Sequence, residues 1–114
     1  MRDKELVYTI NEGTREGTVI VRLDGPLTLG NMFKIQDELR AIHPPVTIFD
    51  LSNCDYMDSA GLGVLVNFYV SAEKNGRKIG LAGVNERIQA LLDMTRVTAL
   101  LGVFSTVDEA LANR

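Results

Sequence analysis

The chain has 114 residues, 46 % of them hydrophobic and 24 % charged, which fits a single globular domain over residues 1–114 with enough chain to bury one core. With 12 basic and 15 acidic residues the formal charge is −3, and no long run of either sign occurs, which speaks against nucleic acid or an anionic membrane as partner. One cysteine excludes an internal disulfide and suits a reducing compartment, and one cysteine with one histidine gives no basis for a zinc site.

The start, MRDKELVYTI, is charged before it is apolar, and its apolar part is too short for a leader. No stretch reaches the ~20 apolar residues of a membrane span, so a cytoplasmic location is expected. Within residues 5–10, Leu6, Tyr8 and Ile10 alternate at period two; within residues 18–23, Val19, Val21 and Leu23 do the same, with Ile20 opposite. The intervening NEGTREG makes the two runs a hairpin. After the loop DGPLTLGN, the run MFKIQDELRAI carries Met32, Ile35, Leu39 and Ile42 at helical spacing, with Thr28 or Asn31 as cap and Pro44-Pro45 as terminator.

The run VTIFDL, residues 46–51, is short, apolar and β-branched, which suits a central strand covered on both faces. A helix follows the segment CDYMD, with Leu62, Leu65, Val66, Tyr69 and Ala72 on one face, Val64 and Phe68 on a second side, and Gly76 as its C-terminal stop. KIGLAG reads as a fourth strand. NERIQALLDM reads as a helix capped by Asn85, with Ile88, Leu91 and Leu92 inward, and GVFS as a short edge strand. Thr106 followed by Glu109 three residues on is a capping-box signature for a last helix, VDEALAN. The order β-β-α-β-α-β-α-β-α predicts an α/β fold, a mixed sheet that is parallel after its hairpin.

The chemistry concentrates in DYMDSAGLG, residues 55–63. Asp58 and Ser59 are both good helix caps, but one helix start needs only one. With Asp58 in that role, Ser59 becomes the first helical residue and its hydroxyl faces outward. Gly61 and Gly63 each cost about 1 kcal/mol relative to alanine in a helix. Their expected return is a bare surface on which another molecule can approach the backbone; Val64 and Phe68 beside it are either exposed apolar surface for docking or core under a neighbouring loop.

Catalytic readings fit poorly. The stretch D-S-A-G lacks the glycine that precedes the serine in a nucleophile elbow, and the only histidine, His43, belongs to the opposite end of the helix-strand connection. Gly61-Leu62-Gly63 alone is weak evidence for a phosphate cradle, although a helix start attracts anions and leaves weak nucleotide binding open. Asp50 at the end of the central strand lacks the acidic pair of a response-regulator receiver, and Asp50, Asp55 and Asp58 read as loop carboxylates and a cap. No metal or cofactor is implied.

DLSNCDYMDSAGLGVLV, preceded by a hairpin and followed by KIGLAGV and VFSTVDEAL, resembles the STAS domain across essentially the whole chain. More narrowly, it is similar to the free-standing bacterial anti-sigma factor antagonists. The resemblance implies a STAS-like mixed sheet of four to five strands with helices mainly on one face. It implies a regulatory protein, not an enzyme, that binds an anti-sigma factor which is also a serine protein kinase and so releases a sigma factor. The kinase would switch it off by phosphorylating Ser59, and a serine phosphatase would reverse this. Partner contacts would come from Asp24, Thr28, Asp58, Ala60, Gly61, Leu62 and Gly63. Two positions depart from the family pattern. Ala60 stands where many relatives have a second serine. Gly25-Pro26-Leu27-Thr28 stands where G-E-L-D is common, so Thr28 replaces an acidic group for which Asp24 is the nearest substitute. The alternatives are a STAS subunit of another regulatory or lipid-transport assembly, or a nucleotide-sensing module, neither needing serine phosphorylation.

Overall fold

The computed structural model describes residues 5–113. The charged start Met1–Lys4, on which the expectation of no leader rests, lies outside the described residues. Two alternating segments, β1 (Val7–Glu12) and β2 (Thr18–Asp24), pair antiparallel as the predicted hairpin. Then come α1 (Met32–Arg40), β3 (Val46–Asn53), α2 (Ser59–Lys74), β4 (Lys78–Ala82), α3 (Glu86–Met94), α4 (Thr98–Leu101), β5 (Val103–Phe104) and α5 (Val107–Ala112). Among the described residues the five strands form one sheet in the order β1-β2-β3-β4-β5, parallel from β2 onward. No helix among them is long and apolar enough to cross a membrane.

The alternation of β3 explains the layering. Phe49 and Leu51 point to the main core, where Ile35 and Leu39 of α1, Leu62, Leu65 and Phe68 of α2, Ile88 and Leu92 of α3 and Leu101 of α4 meet them. Ile48 points to the other face, where α5 supplies Ala110 and Leu111. Among the described residues four helices therefore share one face and one helix covers the other. Buried on both sides, β3 has the continuous apolar character expected of a central parallel strand.

Several local expectations need correction. Helix α1 stops at Arg40 instead of Ile42, which leaves the extended approach that Pro44 and Pro45 demand. Neither Thr28 nor Asn31 caps it. Asn31 occupies the cap position but turns its side chain to the loop, where Oδ1 accepts from Thr28 N–H at 2.9 Å and Nδ2 donates to the Pro26 carbonyl at 2.9 Å. Helix α4 was not expected; its four residues carry too little periodicity to show in a sequence.

The other caps follow expectation. Asn85 accepts from Ile88 N–H, and Thr106 accepts from Glu109 N–H at 3.1 Å. Gly76 at φ +69° follows α2, with Gly76 N–H donating to Glu73 and Arg77 N–H to the Ala72 carbonyl. This double closure is a Schellman ending, and it needs a residue tolerant of the left-handed conformation.

Candidate functional site

Strands β2, β3 and β4 run parallel, so the loops after them emerge at one end of the sheet and lead there into α1, α2 and α3. Hydrogen bonds stitch these loops together. Leu27 N–H donates to the Tyr56 carbonyl at 3.0 Å, and Asp58 N–H donates to the Leu27 carbonyl at 3.3 Å. Asn85 Nδ2 donates to the carbonyls of Cys54 and Asp55 at 3.3 and 3.1 Å. The start of α2 is thus held between two neighbours.

Asp58 is the N-cap of α2, as its residue type predicts. Its Oδ1 accepts from Gly61 N–H at 2.8 Å, and its Oδ2 accepts from Leu29 N–H at 3.1 Å. One carboxylate therefore satisfies a free donor of the helix and fastens the loop before α1. Ser59 is the first helical residue and is exposed, with Ala60 half-buried beside it. At that position a hydroxyl is not consumed by capping and stands at the positive end of a 16-residue helix.

The two glycines have different causes. Gly61 is buried, and a Cβ there would lie 2.8 Å from the Leu27 carbonyl carbon and 3.0 Å from Met57 Cγ, with the Leu27 oxygen closer still. The bare-surface reading fails for Gly61; this glycine lets α2 pack onto the loop backbone. A Cβ at Gly63 would meet nothing within 4 Å, so of these two glycines only Gly63 faces open space. Gly63→Ala is expected to raise stability by about 0.5–1 kcal/mol, read as a higher denaturant midpoint with unchanged slope.

Of the two readings of Val64 and Phe68, the core one holds. They are 2 % and 8 % exposed, and the Phe68 ring meets Phe49 edge-on with centroids 5.4 Å apart. The exposed apolar surface comes instead from Leu29, Phe33 and Tyr56, at 58 %, 60 % and 44 % exposure. Leu29 belongs to the loop bound by Asp58, Phe33 follows four residues later in the first turn of α1, and Tyr56 precedes Asp58 by two. Sequence held a signal for Phe33, which falls outside the inward series Met32, Ile35, Leu39 yet is aromatic. Leu29 and Tyr56 sit in loops, where periodicity says nothing.

Among the remaining candidates, Leu62 is buried in the main core. Thr28 is half-buried next to Leu29, and Asp24 is exposed at the end of β2, in register with Asn53. Cys54 is buried at 1 % exposure, and burial pushes its thiol up to about 11, so it stays a protonated core side chain. Asp50 accepts from the Ser52 N–H and hydroxyl at 3.1 and 2.6 Å.

The STAS domain family model matches residues 9–110. An anti-sigma F factor antagonist from Paenibacillus polymyxa is 28% identical over 99 residues, covering 83% of this chain and 85% of that protein. The crystal structure of an anti-sigma factor antagonist from Mycobacterium paratuberculosis superposes with a TM-score of 0.85 at 19% identity, over 96% of this chain and 93% of that one. A sulfate transporter family protein from Wolinella succinogenes superposes at 0.74 with 28% identity, over 90% and 88% of the two chains.

Proposed function

This chain belongs to the STAS domain family, and on that premise we propose that it is an anti-sigma factor antagonist whose switch is Ser59. It acts in the cytoplasm on an anti-sigma factor that is also a serine kinase, frees a sigma factor when unmodified, and is reset by a phosphatase. It is the substrate of that kinase, not a catalyst. The observation that carries the reading is the exposed Ser59 on the first turn of α2, next to a cap already supplied by Asp58. Similarity over 83% of this chain to the anti-sigma F factor antagonist supports the same role.

Leu29, Phe33 and Tyr56 provide the apolar contact that a partner would bury, with Asp24, Thr28, Asp58, Ala60 and the open backbone at Gly63 beside it. Gly61 and Leu62 are buried, so they shape this surface from beneath. The test is co-purification with a serine-kinase anti-sigma factor, incubation with ATP and mapping of phosphate by mass spectrometry. One phosphate on Ser59, none on Ser59→Ala, is the expected result; phosphate elsewhere, or none, refutes it. Leu29→Asp and Phe33→Asp should each weaken capture at least tenfold while melting like wild type, because both side chains are already in water.

The similarity to the sulfate transporter family protein favours one second reading, a STAS module docked in another assembly. In that case the apolar surface would matter for assembly and Ser59→Ala would change nothing.

A further inference from the structure

A groove of about 220 Å³ runs between α1 and α2; along α2 its wall begins at Val64, five residues or ~8 Å from Ser59, and continues to Ser71. Its apolar wall comes from Leu39, Ile42, Val64 and Phe68. Its polar lining includes the guanidinium groups of Arg40 and Arg77 and the imidazole of His43, and no lining residue carries a carboxylate. Arg40 leans outward to Asp37 at 3.8 Å, both side chains well exposed.

Arg77 is differently placed. The Schellman ending of α2 carries it back over the helix, where it lies 5.9 Å from the Phe68 ring centroid. Its two terminal nitrogens donate to the Ile42 carbonyl at 3.4 Å and to Ser71 Oγ at 3.1 Å. Its Nε is buried and meets no acceptor among the described residues. A guanidinium has five N–H donors, so each terminal nitrogen keeps one N–H for a further acceptor while the buried Nε stays out of a ligand's reach, and the orientation of the fork is already set by both walls. Tying the exit of α1 to α2 accounts for two of these donors. It does not account for an apolar trough that ends on a cation without an anion.

We propose that this groove binds a small amphiphile with an apolar body and a carboxylate head, the body lying along Leu39, Val64 and Phe68 and the head on the fork of Arg77. The pairing of a planar guanidinium with a planar carboxylate satisfies unused donors while the chain leaves water.

The test is amide NMR of the full chain titrated with octanoate, octylamine and octanol. Octanoate is expected to give saturable shifts confined to residues 39–43, 64–71 and 77, with octylamine giving none and octanol binding at least tenfold more weakly. Asn67→Trp, at the exposed mouth of the groove, should reduce octanoate affinity at least tenfold with melting unchanged, and Arg77→Gln should do the same even if it melts lower. Shifts centred on residues 58–61 would place the anion at the start of α2 and overturn the proposal. Equal response to octanoate and octylamine, or no saturable shift, would overturn it as well. Ser59 phosphorylation is read separately, so either result leaves the switch to its own experiment.

Discussion

Gly61→Ala is expected to lower the melting temperature by about 10–20 °C, the opposite of what helix propensity predicts. Propensity alone favours alanine by about 1 kcal/mol. The new methyl group, however, would collide with the Leu27 carbonyl, and backbone cannot turn aside as a side-chain end can. Relief requires the 25–28 loop to move away from α2. That movement strains the Asp58 N–H bond to Leu27, the Leu27 N–H bond to Tyr56 and the Leu29 N–H bond to Asp58. Each is worth about 1 kcal/mol, so the net loss is about 2–3 kcal/mol, and a domain of this size shifts by about 4–8 °C per kcal/mol. Gly63→Ala, two residues along the same helix and stabilised instead, is the internal control. Calorimetry of both variants decides the matter; an unchanged or raised melting temperature for Gly61→Ala would mean the loop yields freely and the packing account is wrong.

That pair of glycines also shows what a sequence can and cannot disclose. Elements governed by local rules were legible: the hairpin from its alternation and glycine-rich turn, β3 from its apolar run, α2 from Asp58 and Gly76, α5 from Thr106 and Glu109. The position of Ser59 followed from counting caps, which is also a local argument. What failed or stayed open depends on residues distant in sequence. Gly61 is explained by Leu27, 34 positions earlier, and the burial of Phe68 by Phe49 on a different element. Asn31 looked like a cap because its type and place were right, yet the loop before it had carbonyl and amide groups that competed successfully for its side chain. Whether Val64 and Phe68 are surface or core stayed open in the sequence for the same reason: residues of other elements close over them. Leu29 becomes part of the site through a hydrogen bond to Asp58 that spans 29 positions.

Phosphorylation of Ser59, or Ser59→Asp as its mimic, is expected to leave the melting temperature within a few degrees of wild type while reducing affinity for the proposed kinase partner about a thousandfold. A phosphate brings a charge of about −1.5 to −2 to the first turn of α2. Negative charge there is favoured by about 0.3–1 kcal/mol through the helix dipole, which offsets repulsion from the Asp58 carboxylate nearby. Asp58 itself remains anchored by Gly61 N–H and Leu29 N–H, so the cap has no reason to open. In a complex the same charge is costly. Exposed Leu29, Phe33 and Tyr56 mark the neighbouring surface as one that excludes water when covered, and an anion enclosed beside it loses hydration without gaining a partner. Against one like charge at ~4 Å in a surface environment the penalty is about 4 kcal/mol, which corresponds to about three decades of affinity. Titration calorimetry against the partner, with thermal melts of the same samples, separates the two effects. A modified protein that melts far below wild type would make the switch a loss of structure, and one that still binds would place the interface elsewhere. The contrast with Gly61→Ala completes the argument: that substitution disturbs the scaffold beneath the serine, whereas the phosphate alters only the surface presented to a partner.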